Sequence, residues 1–482
     1  MHTIDLIIIV FYLIGIFSIG YLLRGYVNSF DDFMIANSKI GVALGVASMA
    51  GTELGLITVM YNAEKGWSGQ FASFHIGLIA FLVTLAIGLS GFVISKLRDL
   101  NVKSIPEFYN LRYGKDIRVV GAIFLILAGV LNMGVFLITG AKFLKAVLGD
   151  LGVELNLIMI GLLVLVLFYT MMGGMLSVII TDYIQFVVLS IGLFVATFIS
   201  IYEIGWVKIF HTFKQESAFN PILNSDFGYD YIVWMVIIGF GSSVIWPTAT
   251  TRALAMKDSD SVKKQYMWSS ISFLIRFIIP SFLGICAFIY FSEKGLDSSM
   301  DSLEAMPTFL VEILPVGILG LVVAGMLSAF MSTNDSYLLC WSTIITNDII
   351  SPLVKEKLSS SKKIFISQII ILLLGAYIFY WGLNYTGEED IWDYLAITGS
   401  VYFSGAISLV VFGLYSNIVN KYGAYCSLLC GLIALLGLSP IKSFFNISVS
   451  SEMLSLIGLF SAVVMIFLGS FYGQILFKDN DK

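Results

Sequence analysis

Long apolar runs, separated by short polar stretches, recur from one end of this chain to the other. The runs predict thirteen membrane spans: Ile4–Arg24, Ile40–Ala63, Phe71–Ser95, Val119–Val147, Leu155–Met171, Gly174–Ile201, Tyr231–Ala255, Gln265–Phe291, Leu314–Ile345, Ile364–Leu383, Trp392–Leu414, Ala424–Leu438 and Met453–Leu476. Backbone groups in hydrocarbon must be bonded within their own segment, and continuous runs are not the alternating segments of a barrel. The expected fold is therefore all-α and integral to the membrane.

Two spans interrupt the pattern. The second places Ala47, Ser48, Ala50, Gly51, Thr52, Glu53 and Gly55 where apolar residues belong. The seventh carries Gly239, Gly241, Ser242 and Ser243, then Pro247. Such residues form helix poorly. Broken helices at matching positions five spans apart point to inverted repeats with a binding site between them. Close packing of small residues is the plainer alternative. The expected layout is one transport domain over 1–482: an extra helix at 4–24, a first repeat at 40–201, a second at 231–414, and two extra helices at 424–476.

Composition agrees, with 58% hydrophobic and 12% charged residues among 482, a balance foreign to soluble domains. The placement of charge sets the orientation. Lys and Arg crowd the loops at 96–118, 252–264 and 355–363, joined by Arg24, Lys39, Lys421, Lys478 and Lys482. Fewer lie opposite: Lys65, Lys142, Lys145, Lys208, Lys214, Lys294 and Lys442. The positive-inside rule puts the first set in the cytoplasm, the N-terminus outside and the C-terminus inside. The acidic stretch Thr386–Asp393 then falls outside and reads as a solvated loop. No cleavable signal peptide is expected, since a basic n-region and a small-residue cleavage site are missing. The four cysteines, Cys286, Cys340, Cys426 and Cys430, lie in apolar runs and suggest neither disulfides nor zinc.

Candidate chemistry sits inside the spans. After Gly173-Gly174, the sixth span carries Asp182 and Gln185. An intramembrane carboxylate is costly and marks a functional site by default; a role in joining two helices is the alternative. In the ninth span Ala329, Ser332, Thr333 and Ser336 share one helix face, with Asp335 at its border. A hard cation takes oxygen ligands, and a broken helix frees carbonyls for it. Backbone oxygens of Ala47 and Ala50 are thus expected to face Ser332 and Thr333. Hydroxyls bonded to their own preceding turn would give the same stripe.

These motifs, with Ile105-Pro106-Glu107-Phe108, Arg112-Tyr113-Gly114, Trp246-Pro247 and Pro315-Val316-Gly317 in order, resemble the sodium/solute symporter family and its sodium–sugar, sodium–proline and sodium–sialic acid members. The resemblance runs over about Asp5 to Gly469. It implies the five-plus-five inverted repeat with a broken first helix in each half. It implies a shared sodium site at Ala47, Ala50, Ala329, Ser332 and Thr333. It also implies a second sodium site at Asp182, Asp335 and Ser336. Some members use this second site; they have hydroxyl residues at the positions of Asp335 and Ser336, so Asp335 is a departure. A second carboxylate either strengthens that site or makes it protonatable.

The solute is less legible. Glu53 aligns with a glutamate beside the sugar pocket of some members, and a gating role is equally open. Thr52, Ser73, His75, Ser242, Ser243 and Thr398 are expected to line the same cavity. Arg276 is expected to face an internal acid or to snorkel. Basic residues look scarce around the pocket, so an anionic solute would need sodium or helix N-termini as counter-charge. The expected activity is sodium-coupled import of a small organic solute (sugar, amino acid or carboxylate), with one or two sodium ions. Proton coupling and solute sensing are the alternatives. An enzyme is not expected, because the three histidines, His2, His75 and His211, complete no nucleophile–base pair. A channel is not expected either, for want of a filter-like repeat. The expected partners are solute, sodium and the lipid bilayer of an inner membrane, without nucleic acid. A monomer suffices.

Overall fold

The structure, a computed structural model, describes residues 1–23, 29–35, 38–149, 152–172, 175–296, 299–354, 358–385 and 389–476. Arg24, Gly173, Gly174, Thr386, Lys478 and Lys482, named above, lie outside these residues. Among the described residues the regular elements are helices, and the one β contact is an isolated bridge between Ile40 and Met256.

The spans are built from α1 (Thr3–Leu23), α2 (Val42–Glu53), α3 (Leu56–Gly69), α4 (Phe74–Ser90), α5 (Lys115–Met133), α6 (Phe136–Leu148), α7 (Leu155–Met172) and α8 (Met175–Ile204). They continue with α9 (Tyr229–Val244), α10 (Pro247–Ala255), α11 (Ser259–Glu293), α12 (Ile318–Ile344), α13 (Ser360–Asn384), α14 (Ile391–Tyr415), α15 (Lys421–Cys430) and α16 (Ser451–Leu476). Nine stretches of the described residues are long and apolar enough to cross a membrane, or eleven if each bent pair is one span. The thirteen expected spans differ from this count in two places. Leu155–Met171 is apolar but short. The stretch Leu56–Ser90 passes the length test as one span, yet it doubles back at Gln70, which has φ 55°. Tyr61 and Gly77 both meet Phe277 of α11, whereas Gly66 meets Ser281 and Gly88 meets Met267. So α3 runs parallel to α11, and α4 runs against it.

The break in the second span has a local cause. Leu54 (φ −95°, ψ 66°) leaves the helix and Gly55 is extended (φ −84°, ψ 167°). Gly55 abuts Thr333 of α12, whose hydroxyl would collide with any Cβ there. The carbonyl freed at Glu53 accepts from Thr58 Oγ1 and from Arg276 Nη1, each at 3.0 Å, so that carbonyl stays paired. The seventh span breaks between Val244 and Pro247, and Pro247 restarts the helix where its missing N–H costs nothing.

The two broken helices run antiparallel: Glu53 bonds Thr248 at 2.9 Å, and the Lys65 ammonium lies 5.6 Å from the Tyr231 ring. Outside the helices, Ile40 and Met256 pair in a parallel bridge. The two breaks therefore meet in mid-bundle, which is the pseudo-twofold arrangement of a five-plus-five inverted repeat. Small residues bring α3 and α11 equally close: Gly66 sits on the Ser281 backbone and Gly284 on the Ala63 backbone. The start of α12 is held by α1, where Asp5 Oδ1 accepts from the amides of Gly317 (2.7 Å) and Gly320 (2.9 Å).

Candidate functional site

Asp182 of α8 is fully buried where α2, α10 and α12 converge. Its Oδ1 accepts from Ser332 Oγ at 2.5 Å. Its Oδ2 accepts from Ser48 Oγ and Thr52 Oγ1, each at 3.0 Å, and from Arg252 Nη2 at 3.3 Å. Arg252 also donates to Ser336 Oγ at 2.6 Å, and Ser336 in turn donates to Asp335 Oδ1 at 3.3 Å. Among the described residues Asp335 Oδ2 is buried without a partner. The cluster thus holds two carboxylates, four hydroxyls and one guanidinium. This corrects the reading of Arg252 as a loop cation: its side chain is 1% exposed and lies within α10. Gln185, one turn beyond Asp182, is buried with both amide atoms unpaired.

Beside this cluster α12 touches the break of the second span. Ser332 Oγ lies 3.4 Å from the Gly51 carbonyl, and Thr333 Oγ1 lies 3.4 Å from the Thr52 carbonyl. The carbonyls facing the two hydroxyls are therefore those of Gly51 and Thr52. Ala47 and Ala50 were expected there, but Ala47 lies one turn before Gly51, and Ala50, the residue before Gly51, has its carbonyl bonded to the Leu54 amide at 2.9 Å. Ala329 is buried one turn before Thr333 on α12.

A cavity opens where the two breaks meet. Thr52, Glu53, Ser242, Arg276 and Thr333 line it, with Thr58 and Asn132. Aromatic side chains form its remaining walls. Towards one end Tyr61 and Trp392 lie 4.8 Å apart. Towards the other, Trp246 Nε1 donates to Tyr337 OH at 3.0 Å. Glu53 and Arg276 form an ion pair of 2.7 Å inside this cavity, with side chains 16% and 7% exposed. The acid expected to face Arg276 is thus Glu53. Arg276 is the one basic residue among the described residues lining the cavity; it and Glu53 sit on spans 8 and 2, and their distance along the chain hid the pair.

Beyond Tyr61, the Lys65 ammonium bonds Asp393 at 2.7 Å and Asp390 at 2.9 Å, and Asp393 also accepts from Tyr231 OH at 3.0 Å. Lys65 is buried within α3. The carboxylates read as a solvated loop are therefore ion-paired to a helix of the cavity wall.

The other expected solute residues scatter. Ser243 lines a smaller neighbouring cavity with Ser242 and Arg276. Thr398 stands behind Asn132, accepting from its Nδ2 at 3.3 Å. Ser73 bonds the Gln70 carbonyl in the turn before α4, outside the cavity. His75 bonds the Ala72 carbonyl at 2.6 Å and packs on Phe227 and Tyr231, as a structural histidine does. Asn132, Tyr61, Trp246 and Trp392 line the cavity without having been expected there. Apolar-run reading treats such aromatics as packing, and only the broken helices beside Trp246 gave a signal.

Comparison with known proteins agrees with this geometry. Residues 33–431 match the sodium:solute symporter family. The chain is 27% identical to a sodium/pantothenate symporter of Haemophilus influenzae, over 81% of this chain and 82% of that one. It is 25% identical to a sodium/sialic acid symporter of Proteus mirabilis, over 88% and 87%. Its fold matches the substrate-bound, outward-open structure of a sodium-coupled sialic acid symporter with a TM-score of 0.84, at 19% identity and 98% coverage of both chains. The match spans most of the chain and includes both broken helices and α12, and the protein belongs to the sodium:solute symporter family.

Proposed function

We propose that this protein is a sodium-coupled symporter that moves a small organic solute across the membrane by alternating access, with the cavity between the two helix breaks as the solute site. The observation that carries this is the meeting of Glu53 and Thr248 at the two breaks, beside the hydroxyls of Ser332 and Thr333. Broken antiparallel helices are the way this kind of transporter places polar backbone at mid-membrane. The repeats are assigned to 40–201 and 231–414. One chain holds both breaks and the cavity between them, so a monomer suffices.

One sodium ion is assigned to the oxygens around Ser332 and Thr333, with the carbonyls of Gly51 and Thr52 and those of Ala47, Ala50 and Ala329 within one turn. Several hard oxygens from two elements fit a small cation. Sodium there ties α2 to α12 and favours the conformation that receives solute, so the two bind with reciprocal coupling. The Asp182–Asp335–Ser336 cluster is assigned as a second cation site, with Arg252 as the resident counter-charge when sodium is away. Its formal charge of two carboxylates and one guanidinium leaves room for one monovalent cation. Proton coupling is the alternative at this cluster, favoured by the unpaired Asp335 Oδ2.

The membrane is assigned as a cell membrane, the inner one in a bacterium, with the N-terminus outside. The Lys65–Asp393 end is then the outer closure, and the Arg252 end faces the cytoplasm. Each sodium entering gains about 2.3 kcal/mol per 100 mV of potential. Uptake into proteoliposomes under an imposed sodium gradient tests the reading. Accumulation that follows the sodium gradient supports it, and accumulation that follows only a proton gradient moves the coupling to the carboxylate pair.

A further inference from the structure

Arg276 has more donors than its partners use. A guanidinium offers five N–H groups in a rigid fork. Among the described residues, Nη1 makes the bonds to Glu53, one to the carbonyl at 3.0 Å and one to Oε2 at 2.7 Å. Nε is buried with no partner. The guanidinium is held flat by Phe273 and Phe277, whose ring centres lie 3.9 and 4.8 Å from its central carbon. Glu53 is fixed in turn by Thr248, so the pair cannot readily swing away.

We infer that Arg276 is the carboxylate receptor of the solute cavity, and that the transported solute is a small organic acid or zwitterion rather than a neutral sugar. This rests on the reading of the cavity as the solute site. With Nη1 taken by Glu53, Nη2 remains, joined by Nε once the packing that seals it opens around the solute, and together they match the two oxygens of a carboxylate. A purely structural pair with Glu53 would have no use for a buried, unpartnered Nε. Phe273 and Phe277 hold the fork by cation–π contact without consuming a donor. The aromatic lining of Tyr61, Trp246, Tyr337 and Trp392 suits the apolar body of a small solute.

Charge explains the link to sodium. Glu53 and Arg276 cancel, so an added carboxylate leaves one negative charge. Thr333 lines the same cavity, and a sodium ion beside it offsets that charge. Binding of a net anion therefore requires sodium, whereas a zwitterion is tied to sodium only through the order sodium gives the break beside Thr333. A zwitterion also offers an ammonium to Glu53, whereas a hydroxy acid offers a hydroxyl.

The experiment uses the purified full chain. Thermal stability and proteoliposome uptake are read in sodium and in potassium with L-proline, pantothenate, N-acetylneuraminate and D-galactose. The methyl ester of each acid that responds follows. The expected result is a sodium-dependent response to at least one acid that is lost in its ester, with no response to galactose. A response to proline alone identifies a zwitterion site; a response to the others identifies a hydroxy-acid site. Arg276→Lys is expected to raise KM at least about tenfold for that acid, since a point charge replaces the fork. Glu53→Gln with Arg276→Met is expected to abolish acid uptake and leaves no lone buried charge if the single variant misfolds. Equal response to acid and ester, a response to galactose, or no response to any acid overturns the assignment. The sodium shift without solute is read in the same samples. Its loss in the wild type refutes sodium coupling itself, and its persistence beside an indifferent ester refutes only the carboxylate receptor.

Discussion

Arg252 lies 3.3 Å from Asp182, 70 positions away in sequence, and both side chains are sealed from solvent. A charged pair at that depth is sustained by its hydrogen bonds, and Asp182 has three hydroxyl donors besides. Removing one partner exposes the other to the full cost of burial, about 3–5 kcal/mol. In Arg252→Gln the two carboxylates face each other without their counter-charge. The variant is expected to melt lower than wild type in potassium and to regain more stability on adding sodium. A melting curve at graded sodium reads this, and a sodium response equal to that of wild type separates Arg252 from the cation site.

Asp182→Asn keeps the shape and removes the charge. Hydrogen bonds to a charged group contribute about 1.5–3 kcal/mol, which corresponds to roughly a 10–100-fold loss in sodium affinity. Sodium activation of uptake is the readout. Half-activation at the wild-type sodium concentration means that Asp182 does not ligate the ion.

Ser332→Ala with Thr333→Ala removes the hydroxyls that face the Gly51 and Thr52 carbonyls. Coupled uptake is expected to vanish while the protein still folds, because each change deletes one buried oxygen and leaves the helix pattern intact. Circular dichroism checks the fold. Normal uptake by the folded double variant rejects the shared site.

Lys65 joins α3 to the start of α14 through Asp390 and Asp393. Lys65→Met is expected to loosen this end. The carboxylates are 39% and 25% exposed, so the cost falls below the figure of about 3–5 kcal/mol for a fully buried pair. In a cysteine-free background, Thr58→Cys, which lies in the cavity wall, is expected to react faster with an impermeant maleimide once Lys65 is replaced. An unchanged labelling rate shows that the pair does not close the cavity.

Asp5 is buried in α1 and caps the start of α12 from another helix. Loss of a capping carboxylate costs about 0.5–2 kcal/mol. Asp5→Ala is expected to lower the melting temperature and weaken sodium stabilisation together, since α12 carries Ser332 and Thr333. A lower melting temperature with unchanged sodium stabilisation confines Asp5 to a structural role.

The spans and both breaks were legible because each is written locally: an apolar run, then small and polar residues where lipid forbids them. Asp182, Ser332, Thr333 and Asp335 were legible for the same reason. The pairs were not. Lys65, Arg252 and Arg276 find their carboxylates far along the chain, and positional counting of Lys and Arg placed Lys65 and Arg252 in loops. The carbonyls at the break also slipped from Ala47 and Ala50 to Gly51 and Thr52, since the residue at which a helix stops is set by its contact with Thr333. Ser73 and His75 were misplaced by the hairpin between α3 and α4, which turns them away from the cavity.

The central claim is that sodium drives solute through this bundle. The most direct test is uptake into proteoliposomes holding the purified chain, with inward sodium, potassium or proton gradients imposed in turn. The account predicts accumulation with the sodium gradient, collapse when sodium is equal on both sides, and loss in Ser332→Ala with Thr333→Ala. Accumulation that is indifferent to sodium, or unchanged in the double variant, contradicts it.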